Sequence, residues 1–128
     1  MRAESADAVS RFVVAINRHD LDELSSLLAP DHRFVDSLGN AIVGRKNVAL
    51  AWRRYFEMVP DYLITVARLL GDDAEVALFG TASGSISAPG GQVGNWSIPF
   101  AARARVESGR IAEWHVFADN EPVRAILR

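Results

Sequence analysis

The chain has 128 residues, of which 49% are hydrophobic and 23% are charged, and this size and composition fit one domain around a single hydrophobic core. Its formal net charge of -2, from 14 Lys and Arg against 16 Asp and Glu, gives no electrostatic reason to expect nucleic acid or a membrane surface as a partner. The lack of cysteine excludes disulfides, a thiolate nucleophile and thiolate metal ligands.

The N-terminal sequence MRAESADAVSRF mixes acidic and basic residues and lacks the pattern of a secretory signal. No apolar run approaches the roughly 20 residues that a membrane span needs. The sequence therefore predicts a soluble, cytoplasmic protein whose natural partner is a small apolar or neutral molecule.

Two amphipathic helices are predicted in the first quarter of the chain. Between Ala6 and Arg18, apolar residues recur at i, i+3, i+4 and i+7, which is the spacing of one buried helix face. Asp20 then begins a second helix, because Glu23 follows three positions later in capping-box spacing, and leucines continue the buried face until Pro30. We expect these two helices to form a hairpin.

The next elements are a strand at residues 32–36, a short turn, and a third helix between Gly44 and Pro60 that has the most aromatic face in the chain. From Tyr62 onward, strand-like segments are separated by short turns. They span residues 62–70, 75–86, 96–107 and 110–118. Consecutive strands with short turns favour an antiparallel meander. A short closing helix is predicted around Pro122.

Helices grouped first and strands grouped last predict an α+β domain, in which the N-terminal helices pack over one face of a curved, mainly antiparallel sheet. Three stretches also carry a family resemblance. They are AINRHDLDELSSLLAPDHRFVDSLG, GRKNVALAWRRYFEMVPDY and IPFAARARVESGRIAEWHVFADN. In this order and spacing they resemble the SnoaL-like and ketosteroid-isomerase-like branch of the nuclear transport factor 2-like superfamily.

The resemblance covers nearly the whole chain and implies a cone-shaped, cystatin-like fold with one deep, mostly apolar pocket. It also implies a homodimer that packs through the outer face of the sheet. It does not fix a reaction, because this fold hosts isomerases, polyketide cyclases, dehydratases, epoxide hydrolases and proteins that only bind. The function has to be argued from the residues expected in the pocket.

Asp36 is the first candidate for a catalytic residue. It shares strand parity with Phe34, and it stands where the resembling ketosteroid isomerases carry their general base. An apolar setting destabilises the charged form of a carboxylate and so favours proton transfer. The alternative is that Asp36 only caps the turn at residues 37–40, as aspartate commonly does.

Asp119 is the second candidate, since it resembles the position of the catalytic acid/base in SnoaL polyketide cyclases. It shares period-two parity with His115 and Phe117, so we expect all three to face the pocket, with the imidazole of His115 assisting proton transfer. Trp114 and Val116 would then lie on the outer face and suit a subunit interface. The alternatives are that Asp119 caps the closing helix and that His115 is a packed or surface residue.

The remaining pocket residues are predicted to be aromatic or aliphatic, with Tyr55 offering its hydroxyl to a ligand oxygen. Core packing explains the aromatic residues of the third helix equally well. The expected walls are formed by Phe12, Ile16, Phe34, Trp52, Phe56, Trp96, Phe100 and Phe117. On the penultimate strand, Trp96, Ile98 and Phe100 alternate with smaller or polar residues and are expected to face inward. Arg103 and Arg105 have the opposite parity and are expected to face solvent or a partner.

Two positions depart from the ketosteroid isomerases. Phe12 stands where they carry the tyrosine of their oxyanion hole, five residues before the match to Asn17, and Ala101 and Ala102 stand where an aspartic acid follows the match to Pro99. Without both donors a dienolate would lack its main electrostatic stabiliser, so steroid isomerisation by that mechanism is not expected. No metal and no cofactor are expected either, because the three histidines lie far apart in the sequence.

The leading hypothesis is a cofactor-independent enzyme of the polyketide-cyclase, isomerase or dehydratase type that acts on a hydrophobic carbonyl or polycyclic compound. Asp36 and Asp119 would be its acid/base groups, assisted by His115 and Tyr55. An alternative is a non-catalytic module that binds an apolar small ligand. An epoxide hydrolase is a third reading, but it needs an arginine between two aspartates, so one of the two arginines of the penultimate strand would have to turn inward.

Overall fold

The structure is a computed structural model that describes residues 3–128, and these residues form four helices and one six-stranded mixed sheet. The helices are α1 (Ala3–Asn17), α2 (Leu21–Leu27), α3 (Arg45–Met58) and α4 (Glu121–Leu127). The strands are β1 (Leu28–Val35), β2 (Ala41–Val43), β3 (Leu63–Gly71), β4 (Glu75–Ser87), β5 (Val93–Glu107) and β6 (Arg110–Phe117). The predicted α+β class is confirmed. None of the described helices is long and apolar enough to cross a membrane.

The strand order in the sheet is β2-β1-β6-β5-β4-β3. The predicted antiparallel meander is present as β3 to β6, and β1 lies parallel to β6 at its free edge. The sequence did not predict β2, whose three residues are all exposed and so show no buried alternation. The sheet is open, with β2 and β3 at its edges, and the helices cover its inner face.

The residues from Asn17 to Glu23, which belong to the first of the three family-like stretches, connect α1, α2 and β3. The Asn17 amide donates from Nδ2 to the carbonyl of Ile64 at 2.9 Å and accepts at Oδ1 from the Ile64 N–H at 2.8 Å. Asp20 caps α2, because its Oδ1 accepts from the Glu23 N–H at 3.1 Å, as the sequence predicted. These hydrogen bonds therefore hold the hairpin of α1 and α2 against β3, an edge strand of the sheet.

The face assignment of β6 is the main correction to the sequence prediction. Ala104 belongs to the inward-facing set of β5 and pairs across the strands with Trp114, so the two share a face. Trp114 is fully buried, and Val116 points inward with it. His115 and Phe117 therefore lie on the outer face, opposite to the prediction. Both faces of this strand are apolar, so the alternation alone could not decide between them.

His32 is a fully buried polar residue on β1. Its Nδ1 lies 2.6 Å from the carbonyl oxygen of Ile111, which can only accept, so Nδ1 carries the proton. Its Nε2 is buried without a hydrogen-bond partner among residues 3–128. Burial lowers the pKa of His32 below its ordinary value of 6.5, because the imidazolium would have to be desolvated.

This burial predicts a pH-dependent stability. Between the lowered pKa of His32 and about 6.5, the unfolded chain binds more protons than the folded chain, so the free energy of unfolding falls as the pH falls. The carboxyls of Asp61, Asp72 and Glu121 titrate in the same direction but below their ordinary pKa values of 3.8 to 4.5. Denaturant unfolding between pH 7.5 and about pH 5.5 should therefore show a decline that His32→Gln reduces and His115→Gln retains. Equal declines in both variants would contradict this account.

Candidate functional site

One cavity of about 290 Å³ lies between α3 and the inner face of the sheet. Its volume is close to the lower end of the roughly 300–1,000 Å³ that is usual for small-molecule sites. Its wall is apolar and combines aliphatic side chains with six aromatic ones, namely Phe34, Trp52, Tyr55, Tyr62, Trp96 and Phe100. Its rim is polar and is formed by Asp36, Ser37 and Asn120.

Trp52 stands at the centre of the aromatic wall. Its position on α3, three residues before Tyr55, places both side chains over the sheet. The Trp52 ring meets Phe34 at 5.8 Å and Tyr55 at 6.3 Å between centroids, in edge-to-face geometry, and lies 6.4 Å from the Tyr62 ring. These contacts come from β1, α3 and the segment before β3, so the wall is held by packing from three directions.

Asp36 is the only carboxylate that lines the cavity in the described part of the chain. Its Oδ1 accepts hydrogen bonds from the N–H groups of Leu38 and Asn40, each at 2.9 Å, so it does cap the turn between β1 and β2. No described residue donates to its Oδ2. The two alternatives considered for Asp36 are therefore compatible, since one oxygen holds the turn and the other is left for a ligand.

The rim also joins the two ends of the fold. The Asn120 Nδ2 donates to the Ser37 hydroxyl at 2.9 Å, which ties the turn after β1 to the start of α4. Helix α4 in turn packs against β5, where Ile126 fills the space in which Gly94 would carry a Cβ. The polar rim is thus positioned by contacts on both sides of the cavity mouth.

Three of the predicted site residues lie outside this cavity. Asp119 is exposed, accepts from the Glu121 N–H at 2.9 Å and is 3.6 Å from the guanidinium of Arg124. His115 stacks on Phe117 at 4.2 Å between ring centroids on the outer face. The expectation that Asp119, His115 and Phe117 face the cavity is wrong. The register of β6 places His115 and Phe117 on the outer face, and Asp119, two residues past the end of β6, is exposed and does not line the cavity.

Three apolar residues expected in the walls are core residues instead. Phe12 and Ile16 are fully buried, and the Phe12 ring packs edge-on against Trp114 at 4.9 Å. Phe56 stacks on His19 at 4.1 Å behind the wall. Their helical spacing predicted burial, but burial does not distinguish a core residue from one that borders a cavity. The other predicted residues do line it, namely Phe34, Trp52, Tyr55, Trp96 and Phe100.

Tyr62 lines the cavity and was not predicted as a site residue. It lies between the end of α3 and β3 and is buried. Burial raises the pKa of Tyr55 to about 12, and burial together with the neighbouring Tyr55 raises the pKa of Tyr62 further. Both phenols are therefore protonated hydrogen-bond donors at neutral pH. In the sequence, Tyr62 is a single aromatic residue just before a predicted strand. That pattern does not distinguish a residue that lines a cavity from one buried in the core.

The chemistry available in the cavity is limited to these groups. No lysine or arginine lines it in the part of the chain that the structure describes. Among residues 3–128, no three His, Cys, Asp or Glu side chains lie close enough together to hold a metal ion. The cavity can bind an apolar molecule, donate hydrogen bonds from tyrosines and accept a proton on one carboxylate.

Solved structures share this fold over nearly the whole chain. A protein described as a SnoaL-like polyketide cyclase from Shewanella denitrificans superposes with a TM-score of 0.86 at 17% identity, over 98% of this chain and 97% of that one. A protein with a ketosteroid isomerase-like fold from Catenulispora acidiphila, crystallised with trimethylamine, gives 0.82 at 21%, over 94% and 93%. TerC, co-crystallised with polyporic acid, gives 0.79 at 13%, over 97% and 98%.

These neighbours confirm the cone-like α+β fold that the resemblance implied. A search among proteins of curated function found no match. Residues 9–114, which are most of the chain, match the SnoaL-like domain, and the chain therefore belongs to the SnoaL-like domain family.

Proposed function

We propose that the chain is a small-molecule enzyme in which Asp36 moves a proton at a carbon next to the carbonyl group of an apolar, ring-containing ligand. The observation that carries the proposal is a single carboxylate, with one oxygen free of hydrogen bonds from described residues, at the rim of an aromatic cavity. Polyketide cyclisation, isomerisation and dehydration all include such a step. The match to the SnoaL-like domain supports this class of chemistry.

The proposed step conserves atoms and electrons within the ligand and Asp36. The free oxygen of Asp36 takes the proton from the carbon, the electron pair of the broken C–H bond forms a C=C bond, and the carbonyl oxygen gains the negative charge. Asp36 then returns the proton to the same or another carbon. Tyr55, which is protonated and lines the cavity, would donate to that oxygen.

The mechanism uses one carboxylate instead of the pair that the sequence suggested. Asp119 and His115 lie on the other side of the sheet from the cavity, so they have no place in the proposed step. The epoxide hydrolase hypothesis needs an arginine in the cavity, and no arginine of the described chain lines it. Arg103 donates to Glu113 at 3.1 Å on the outer face, and Arg105 pairs with Glu107 there.

A non-catalytic binding module is the second candidate. It is favoured by the structural role of Asp36, whose Oδ1 accepts hydrogen bonds from two backbone N–H groups of the turn after β1. This role explains the aspartate at this position without any catalysis. Under this hypothesis the aromatic walls bind a ligand and no proton moves. Two of the structural neighbours were crystallised with small molecules, trimethylamine and polyporic acid. The two candidates differ in whether a bound ketone exchanges its protons.

The outer face is proposed as the interface of a homodimer. The residues first expected there, Trp114 and Val116, are inside, but Phe79 and Phe117 are 46% and 49% exposed on that face. Both flank Ala101 in the register of neighbouring strands, so they form one apolar patch. An exposed apolar patch of this kind is typical of an interaction surface.

Proton exchange in heavy water tests the proposed function without knowledge of the natural substrate. 1-Indanone is a two-ring ketone, and its C2 protons can be followed by NMR. Wild type should accelerate their exchange, and Asp36→Asn should lower the rate by about 10²-fold or more. The asparagine keeps an oxygen that can accept from the two turn N–H groups, so the turn is preserved.

Asp119→Asn is the matched control, since it makes the same change on the outer side of the sheet and should retain the wild-type rate. An Asp36→Asn rate equal to wild type would show that Asp36 is not the base. Binding of 1-indanone by wild type with no exchange would favour the binding module.

Sedimentation velocity tests the proposed dimer. Phe117→Asp replaces one of the two phenylalanines of the patch with a charge and should shift wild-type dimers to monomers, because a charge in an apolar interface is desolvated without a partner. Leu38→Asp changes an equally apolar but more exposed residue in the β1–β2 turn and should leave the dimer intact. A monomeric wild-type protein, or a dimer that survives Phe117→Asp, would contradict the proposal.

A further inference from the structure

The side chains of Tyr55 and Tyr62 pack against each other in the wall of the cavity. Their rings lie 4.9 Å apart between centroids with planes at 85°, and Tyr55 raises the pKa of Tyr62 through its proximity. The two residues come from separate elements, α3 and the segment that leads into β3. Neither hydroxyl is hydrogen bonded to another residue among 3–128, so the fold brings two phenol donors into one cavity and leaves both unpaired.

The surroundings of this pair are rich in unsatisfied donors. The indole Nε1 atoms of Trp52 and Trp96 are buried and lack an acceptor within the described chain. The Trp96 ring lies 6.1 Å from Tyr62 and the Trp52 ring 6.3 Å from Tyr55. Buried donors without acceptors are costly in a protein interior. The two indole nitrogens are sealed from a bound molecule, whereas the Tyr55 and Tyr62 hydroxyls are not among the sealed atoms. A ligand can therefore bring an acceptor oxygen to the two hydroxyls, which a pure hydrocarbon cannot do.

Trp52 connects the pair to the part of the wall next to Asp36. Its ring lies 6.3 Å from Tyr55, 6.4 Å from Tyr62 and 5.8 Å from Phe34, which stands two residues before Asp36 in the chain. Asp36 and both tyrosines line this one cavity. A ligand bound there can therefore present its carbonyl oxygen to the pair and the adjacent carbon to Asp36.

We infer that Tyr55 and Tyr62 form a donor pair that binds the oxygen of a cyclic ketone and the enolate oxygen that develops from it. This inference rests on the proposed function, since it assigns the ligand class and a second donor residue to the same cavity. It also accounts for the departures at Phe12 and Ala102, because the charge on the oxygen is stabilised from α3 and the start of β3 instead of from α1 and β5.

The pair is expected to act more strongly in the reaction than in binding. The ketone oxygen carries a partial charge, and the enolate oxygen carries nearly a full one until the proton returns to carbon. Hydrogen bonds to a charged acceptor are stronger than those to a neutral one, and an apolar cavity increases the difference. The loss of one hydroxyl should therefore lower kcat for proton exchange more than it weakens the binding of the ketone.

The first test compares 1-indanone with indane, which has the same rings and no oxygen. Calorimetric titration of wild type should show that the ketone binds more tightly by about three- to tenfold, the value of a net hydrogen bond. Tyr62→Phe and Tyr55→Phe remove only an oxygen atom, so each should reduce this preference, and the double variant should bring the two affinities together. Indane should bind equally well to all four proteins.

Three results would overturn the donor pair. They are a wild type that does not prefer the ketone, a preference that Tyr62→Phe leaves unchanged, and a loss of indane affinity equal to the loss of ketone affinity. The last result would show that the hydroxyls only support packing. In the exchange assay, Tyr62→Phe should lower kcat by about tenfold or more with a smaller change in KM, and an effect on KM alone would also contradict the inference.

Asp36→Asn separates this inference from the proposed function. That variant keeps both tyrosines and should retain the preference for 1-indanone over indane while it loses proton exchange. If it exchanges as fast as wild type and the tyrosine variants lose the preference, the proposed function is wrong and the donor pair stands. If it loses exchange and the tyrosine variants bind as wild type does, the base assignment stands and the donor pair is wrong.

Discussion

Trp52 joins the hydrophobic core to the wall of the cavity, and the arrangement of the site depends on this one side chain. Its ring contacts Phe12 in the core at 6.3 Å, and on the cavity side it contacts Phe34, Tyr55 and Tyr62. The spacing of α3 fixes its direction, and the inner face of the sheet fixes what it meets. The cavity therefore borders the packed core, at the place where the core side chains do not fill the space inside the curved sheet. Its walls are held in place by the same contacts that stabilise the fold.

Asp36 both caps the turn after β1 and lines the cavity, where it is the proposed base. A carboxylate in an apolar cavity is costly unless part of it is hydrogen bonded, and the turn after β1 supplies two N–H donors to one of its oxygens. These two hydrogen bonds hold the Asp36 side chain at the rim through one oxygen, and the other oxygen has no donor among the described residues. The proposed base is thus held without a neighbouring cation, in keeping with the absence of basic residues from the described wall.

The elements that the sequence predicted well are those set by local rules. Asp20 and Glu23 marked the start of α2, and the alternation of Trp96, Ile98 and Phe100 identified the inner face of β5. What the sequence could not give depends on long-range pairing. The inward face of β6 followed only from its register with β5, because the strand is apolar on both sides. Tyr62 was missed because Pro60 ends the predicted third helix before it, and only the turn after α3 brings it beside Tyr55.

A crystal structure of the wild-type protein with 1-indanone would test the account most directly. We expect the rings to lie between Trp52 and Trp96, with the ketone oxygen within about 3 Å of the Tyr55 and Tyr62 hydroxyls and the C2 carbon towards the free oxygen of Asp36. A ketone oxygen directed to Ser37 and Asn120 at the rim, with C2 away from Asp36, would contradict both the base and the donor pair.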